Sequence, residues 1–255
     1  MAAVALGSGG VGAVDVELER DTAALDFCRK LKDAHNLDEL VLDPALVRAL
    51  SASGTVQARL GELCDVVFDG VLSLPVLSEA ALVALSAERP EACRGALPDP
   101  SRRPASSAVA NFLRARVLPE LGALLGQAPL APVGKEYVLS YAPCASPEAV
   151  DGGRVHRMHQ DDSDLTLAVA IADADPWVGS DLLYARHAHD RPGTPDPDED
   201  VVVSARYSHV RGRGVVHVGD TYHRVEPITS GARGTLVLLA MRTDADWKLN
   251  YYRSN

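Results

Sequence analysis

The chain has 255 residues, of which 47% are hydrophobic, and this length is enough to bury a sizeable core. Its formal net charge of −10 at pH 7 excludes the overall basic field that binds nucleic acid or an anionic membrane surface, and no apolar run approaches the roughly 20 residues that cross a bilayer. The four cysteines lie far apart without a Cys-x-x-Cys pair, so a zinc knuckle or disulfide framework is not indicated and a cytoplasmic location is expected.

The first half of the chain has helical periodicity. Residues 1–60 are interpreted as an N-terminal extension, partly helical, that precedes a catalytic domain over residues 61–255. Helices are predicted over residues 24–35, 44–50, 79–85 and 107–125, with a strand over 67–74. Ser78 is expected to cap the third of these helices, and Pro119 to kink the last one.

From Glu136 onward, apolar residues come in short runs bounded by glycine, proline and aspartate, a texture typical of strands. The predicted strands cover residues 137–141, 165–171, 181–185, 201–210, 214–218, 224–228, 235–242 and 248–252. Strands without long intervening helices favour a sandwich or a barrel, and an eight-stranded jelly roll is one way to close such a set. The polar, proline-rich residues 187–200 are predicted to form a loop.

One sequence pattern indicates a metal site. His159 and Asp161 form the only His-x-Asp or His-x-Glu in the chain, and residues two apart on a strand point to the same face. Ferrous iron that activates oxygen needs few protein ligands and several open positions, a need that two histidines and one carboxylate meet. The pair therefore predicts two of the three ligands of such an iron.

The third ligand must come from a distant histidine, and the candidates are His187, His189, His209, His217 and His223. Only His223 is followed ten residues later by a basic residue, Arg233. Ten residues with a Pro/Ser/Gly turn span one hairpin, which returns Arg233 towards the metal. A 2-oxo acid that chelates iron at one end carries a second carboxylate at the other, and an arginine fork suits that group.

Three segments carry a resemblance to a known family. HQDDSDLTLAVAI, GSDLLYA and GDTYHRVEPITSGARGTLVLLAMR resemble the prolyl 4-hydroxylase-like branch of the iron(II)/2-oxoglutarate-dependent dioxygenases. The resemblance implies an α+β fold whose core is a double-stranded β-helix, of the jelly-roll or cupin-like kind, with N-terminal helices packed on it. It also implies Fe(II) and 2-oxoglutarate as cofactors, with ascorbate as a candidate reductant.

The same resemblance assigns residue roles. His159, Asp161 and His223 correspond to the metal triad and Arg233 to the anchor of 2-oxoglutarate. Tyr141 resembles a tyrosine that helps to hold this cosubstrate, and Thr235 sits where a small hydroxyl residue lines the same pocket. The remaining histidines are interpreted as ordinary ones: His156, His187, His189 and His217.

The function implied is a hydroxylase that oxidises an unactivated C–H of an amino-acid, peptidyl or small-molecule substrate with O2, releasing succinate and CO2. Because Asp161 is present, the halogenating variants, which free that position for halide, do not fit. The alternatives are a cupin-like metal-binding protein with a non-oxidative role, and a degenerate oxygenase fold that acts as an interaction module. The sequence indicates neither the prime substrate nor the oligomeric state.

Overall fold

The computed structural model describes residues 11–88, 104–127, 129–143, 158–171, 176–185 and 202–244. Within them the helices are α1 (Val11–Asp33), α2 (Leu37–Val41), α3 (Pro44–Ser51), α4 (Val56–Leu63), α5 (Glu79–Ala87), α6 (Pro104–Arg116) and α7 (Leu118–Leu124). The strands are β1 (Asp65–Phe68), β2 (Val71–Pro75), β3 (Leu130–Tyr141), β4 (Leu165–Ile171), β5 (Val178–Gly179), β6 (Leu182–Ala185), β7 (Val203–Tyr207), β8 (Arg213–Val218), β9 (Tyr222–Val225), β10 (Ile228–Ser230) and β11 (Arg233–Arg242).

The helices follow the sequence prediction with one informative difference. Ser78 caps α5 as expected, since its side chain accepts a hydrogen bond from the backbone N–H of Ala81 at 3.2 Å. The predicted helix over residues 107–125 is two helices, α6 and α7, with Pro119 in the first turn of α7. Proline lacks the N–H that a helix interior needs but is well placed in a first turn, so it ends one helix and starts the next.

The prediction of one continuous strand over residues 67–74 was wrong. This stretch belongs to a hairpin, β1 paired antiparallel with β2, whose turn carries Asp69 and Gly70. Gly70 has a positive φ of 71°. An Asp-Gly pair is a strong signal for a two-residue turn, and the predicted continuous strand did not take this signal into account. The predicted strand over 248–252 and the predicted loop over 187–200 lie outside the described residues.

The strands form antiparallel sheets. The largest has six strands in the order β1-β2-β8-β4-β11-β3, the next has three in the order β7-β6-β9, and β10 pairs with β5. A mixed helix-and-sheet architecture with antiparallel sheets was predicted and is confirmed. The predicted strand over 224–228 is divided between β9 and β10, with Pro227 between them, because proline cannot donate to a strand ladder.

The two faces of the six-stranded sheet belong to different hydrophobic clusters. Side chains that alternate along its strands, such as Leu167, Val216 and Leu236, form one hydrophobic core with the helices. Their neighbours, such as Ala168 and Val215, join a second cluster on the opposite face. Since successive side chains of a strand point to opposite faces, the sheet separates a helix-packed core from the face on which the candidate site lies.

The N-terminal helices belong to the helix-packed core. Phe27 of α1 and Leu46 of α3 are buried in the same cluster as Leu74 of β2 and Leu238 of β11. The boundary near residue 60 remains a prediction. Within the described part of the chain, every helix is too short or too polar to cross a membrane.

Candidate metal centre

The two predicted metal histidines are paired through their backbones. The N–H of His159 donates to the carbonyl of His223 at 2.9 Å, and the N–H of His223 donates to the carbonyl of His159 at 2.9 Å. This reciprocal pair is an isolated antiparallel bridge, so His159 meets β9 without being part of a longer strand. Their imidazole rings consequently lie with centroids 4.4 Å apart.

Asp161 completes a group of three donors. Its Oδ1 lies 3.8 Å from Nε2 of His159 and 3.9 Å from Nε2 of His223. The three ligand atoms all lie within 4.8 Å of one another. Two donors bound to one ion at about 2.1 Å each are about 3 to 4 Å apart, so the donor set fits a single metal ion with little movement. Both the nitrogen and carboxylate donors suit ferrous iron.

The Asp161 segment is held against the turn between β8 and β9. The N–H of Asp161 donates to the carbonyl of Gly219 at 3.0 Å, and the N–H of Gly219 donates to the carbonyl of Asp164 at 3.1 Å. A Cβ at position 219 would lie 1.8 Å from the carbonyl oxygen of Ser163. Only glycine therefore lets the two backbone segments approach closely enough to place Asp161 beside the histidines.

Replacing Gly219 with alanine is expected to destabilise the protein by about 3 kcal/mol, because the overlap is with backbone and one segment must move. Urea unfolding of the metal-free protein measures the change. Gly61→Ala is the matched control, since that position lies in α4 and its added Cβ would meet nothing closer than 4.0 Å. The control is expected to be neutral or stabilising; equal stabilities of the two variants would contradict the close approach at Gly219.

His223 is prepared to act as a ligand through Nε2. Its Nδ1 lies 3.0 Å from the carbonyl oxygen of Thr221, and because a carbonyl only accepts, the ring proton belongs on Nδ1. Burial, followed by the neighbouring His217, lowers the pKa of His223 to about 3. The ring is thus neutral at pH 7, with its Nε2 lone pair directed towards Asp161.

His217 lies beside this group, although the sequence reading treated it as an ordinary histidine. Its side chain is 2% exposed, and its Nε2 lies 3.7 Å from Oδ2 of Asp161. The sequence offered one indirect signal, since Val215 and His217 share a strand face in β8. His156, His187 and His189 lie outside the described residues.

Burial lowers the pKa of His209 as well as that of His217 and His223, and these three histidines make the stability of the protein depend on pH. Burial is the largest cause that lowers the pKa of His209, His217 and His223 from 6.5, with Arg233 adding to the effect on His209. Below pH 6.5 the unfolded chain binds protons that the folded chain does not. The free energy of unfolding must therefore fall as the pH falls.

The expected slope is up to about 1.4 kcal/mol per pH unit for each such histidine. Urea unfolding of the metal-free protein at pH 7.5, 6.5 and 5.5 measures it. His209→Phe removes one buried histidine and should make the slope shallower. These pKa directions would be contradicted if the free energy of unfolding stayed constant or rose as the pH was lowered from 7.5 to 5.5.

Arg233 begins β11 and is almost fully buried, with 1% of its surface exposed. It pairs across the sheet with Tyr141, and its guanidinium carbon lies 4.5 Å from the centre of the Tyr141 ring. The guanidinium donates to Oγ of Ser180 at 2.7 Å and to Oγ1 of Thr235. The structure thus brings together the three residues predicted for the cosubstrate pocket, and it adds Ser180, which the sequence reading did not single out.

The charge of Arg233 has no carboxylate partner within 4.0 Å among the described residues. Burial lowers its pKa to about 10, while Tyr141 and Asp181 oppose this effect, so the side chain remains charged at pH 7. Buried charges in proteins are normally paired, because removing a charge from water is costly. An anionic ligand would supply the missing partner.

The hydroxyl of Tyr184 and Nδ1 of His209 are among the buried side-chain atoms that lack a hydrogen-bond partner in the described residues. Tyr184 pairs across the strands with His223, and the ring centroids of these two residues are 6.1 Å apart. Tyr184 also belongs to the same buried cluster as Tyr141, over which Arg233 lies. This cluster therefore connects the metal group with the arginine pocket and carries polar atoms that a polar ligand would satisfy.

Comparisons with known proteins give structural likeness only. No protein-family model matches the chain, and no curated protein matches it. Similar solved structures include the non-heme alpha ketoglutarate dependent carbocyclase SnoK from nogalamycin biosynthesis, at 18% identity over 76% of this chain and 85% of that chain, with a TM-score of 0.48. HygX from Streptomyces hygroscopicus, with nickel and 2-oxoglutarate bound, is 15% identical over 75% and 88% of the two chains, with a TM-score of 0.47.

A Pseudomonas putida prolyl-4-hydroxylase is 19% identical over 75% of this chain and 94% of that chain, with a TM-score of 0.45. The solved structures that the chain is similar to thus include 2-oxoglutarate-dependent enzymes and a prolyl-4-hydroxylase. All three identities are below 20% and all three TM-scores are below 0.5.

Proposed function

We propose that the chain is an iron(II)- and 2-oxoglutarate-dependent hydroxylase that oxidises an unactivated C–H with O2 and releases succinate and CO2. The supporting observation is one combination: a His-Asp-His donor group, and a buried arginine on the six-stranded sheet that has no carboxylate partner in the described residues. A metal ion alone would not require Arg233. A ligand that offers a chelating end to the metal and a carboxylate to the arginine accounts for both.

Each residue has a defined role in this proposal. His159, Asp161 and His223 would hold the metal on one side, and Arg233 would bind the distal carboxylate of 2-oxoglutarate. The guanidinium lies over the ring of Tyr141, and its hydrogen bonds to Ser180 and Thr235 fix its orientation. Bound iron and 2-oxoglutarate together supply oxygen activation, and the protein contributes orientation and a site with little water.

The hydroxyl of Tyr184 and Nδ1 of His209 are buried and have no hydrogen-bond partner among the described residues. In the proposal they donate to, or accept from, polar atoms of the bound cosubstrate.

The fold, the domain bounds, the substrate class and the reductant that the sequence predicted belong to the same proposal. The six-stranded and three-stranded sheets are interpreted as the two faces of a double-stranded β-helix within a catalytic domain over residues 61–255. The prime substrate is a small molecule or a protein side chain, and ascorbate serves as a reductant that keeps the iron ferrous. Nucleic acid is not an expected substrate at a net charge of −10.

The test supplies purified protein with Fe(II), ascorbate, O2 and 2-oxoglutarate, and measures succinate. We expect slow succinate formation without a prime substrate and an upward thermal shift on adding 2-oxoglutarate with Ni(II), which binds without turnover. A cupin-like metal-binding protein would show a shift with metal alone and none with 2-oxoglutarate. An interaction module with a degenerate site would show neither, and either pattern would overturn the proposal.

A further inference from the structure

The second carboxylate oxygen of Asp161 is held by a chain of hydroxyl groups. Oγ1 of Thr166 donates to Oδ2 of Asp161 at 2.5 Å, and Oγ of Ser163 lies 2.8 Å from Oγ1 of Thr166. Because the hydroxyl proton of Thr166 is used on Asp161, the proton between the two hydroxyls must come from Ser163. Ser163 and Thr166 are 3% and 2% exposed, so water does not compete for these bonds.

The two oxygens of Asp161 therefore have different neighbours. Oδ1 faces Nε2 of His159 and Nε2 of His223, the other two donors of the metal group. Oδ2 faces Thr166, which lies on β4 in the six-stranded sheet. The carboxylate thus has one oxygen on the metal side and one oxygen fixed to the sheet.

His217 approaches the same oxygen but does not replace Thr166 as a donor. Its Nδ1 lies 3.1 Å from the carbonyl oxygen of Val218, which places the ring proton on Nδ1. Its Nε2 then presents a lone pair to Oδ2 at 3.7 Å, and two acceptors that face each other in a buried place repel. Thr166, which pairs directly with His217 across β4 and β8, is the group that supplies a proton to Oδ2.

We propose that Thr166, supported by Ser163, is a positioning residue of the metal centre that holds Oδ2 of Asp161 so that Asp161 presents only Oδ1 to the metal. The inference rests on the proposed function, since it assumes a metal on the Oδ1 side. A carboxylate that binds through one oxygen occupies one coordination position, whereas binding through both would occupy two. Thr166 thereby keeps open the positions that a chelating cosubstrate and O2 require.

The test compares metal binding by four variants of the metal-free full-length protein. Thr166→Val keeps the shape of the side chain and removes the donor, while Thr166→Ser restores a hydroxyl. Ser163→Ala leaves Thr166 its own proton, so a smaller effect is expected. Ser73→Ala is the matched control, because Ser73 is a buried hydroxyl of the same sheet that donates to the hydroxyl of Tyr207 at 3.0 Å.

Calorimetric titration with Co(II) measures affinity, and the visible absorption of the Co(II) form reports the number of coordinating atoms. We expect Thr166→Val to weaken Co(II) binding by about 10- to 100-fold, the usual effect of losing a hydrogen bond to a metal ligand. Its Co(II) absorption spectrum should also change, because a second carboxylate oxygen would take a coordination position that water holds in the wild type. Thr166→Ser should restore both properties, and Ser73→Ala should change neither.

The outcomes separate this inference from the function on which it rests. If the wild-type protein does not bind Co(II), the proposed function and this inference are both wrong. If the wild type binds Co(II) and Thr166→Val binds it equally well with the same spectrum, only the role of Thr166 is wrong. An equal loss of affinity in Thr166→Val and Ser73→Ala would indicate a general packing effect and would also overturn the inference.

Discussion

Replacing Asp161 with alanine is expected to weaken metal binding by more than about 100-fold, since the loss of a group that merely supports a ligand already costs about 10- to 100-fold. Asp161 is the only member of the donor group that carries a negative charge. Without it, the donor group would offer a divalent cation two imidazoles, with a third imidazole at His217 nearby, and no negative charge. Succinate formation is therefore expected to fall below detection in the same variant.

The matched control is Asp162→Ala, which removes the adjacent acidic side chain. Asp162 is exposed, whereas the side chain of Asp161 is 16% exposed and lies among three histidines. Calorimetric titration with Co(II) and the succinate assay should both leave the control close to wild type. If the two variants lose metal affinity equally, the metal does not bind at the His-Asp-His group.

The three residues predicted as metal ligands lie together in the structure, and spacing had already restricted the choice. The predicted hairpin from His223 to Arg233 does not form, because β9 and β11 belong to different sheets. A single His-x-Asp motif and one distal histidine with a basic residue ten positions later leave few combinations. What spacing did not predict is how the group is assembled. His159 lies in a single bridge to His223 rather than in a strand, and this bridge brings the two side chains together through backbone bonds that any residue types can make.

The residues that surround the predicted ones were missed because no spacing rule selects them. Ser180 and His217 reach Arg233 and Asp161 from distant parts of the chain. Thr166 lies five residues after Asp161, and the bend over residues 162–164 brings its hydroxyl to the carboxylate. A buried threonine in an apolar strand reads in sequence as an ordinary strand residue, because threonine favours strands in any case. Its hydrogen bond to Asp161 depends on the bend over residues 162–164, which the sequence pattern did not predict.

For the fold as well, features that depend on neighbouring residues were predictable from the sequence, whereas features that depend on distant residues were not. β4 was predicted over the same residues that the structure shows, since it is a continuous apolar run buried along its whole length. The order β1-β2-β8-β4-β11-β3 joins strands that are distant in sequence, and no periodicity within a strand specifies its neighbours. The hairpin turn at Gly70 was a local signal and was predictable in principle.

Arg233→Met is expected to weaken the binding of 2-oxoglutarate by at least about 100-fold. Two hydrogen bonds from a guanidinium to a carboxylate contribute about 1.5 to 3 kcal/mol each, and about 2.8 kcal/mol corresponds to a hundredfold change in affinity. Methionine keeps much of the buried volume while removing the charge. The metal-free variant should be at least as stable as the wild type, because a buried charge without a carboxylate partner in the described residues is costly to fold.

The decisive measurement compares two ligands of the Ni(II) protein, 2-oxoglutarate and 2-oxopentanoate, by calorimetry. Both chelate through the same 2-oxo acid end, and only 2-oxoglutarate has a distal carboxylate, so the wild type should prefer it strongly. In Arg233→Met the preference should disappear, because affinity for 2-oxopentanoate does not depend on a guanidinium. Arg242→Met, at the exposed end of the same strand, should retain the preference, since its charge is paired with Asp244 in solvent. A preference that survives in Arg233→Met would place the distal carboxylate elsewhere and would remove the observation that distinguishes an oxygenase from a plain metal-binding barrel.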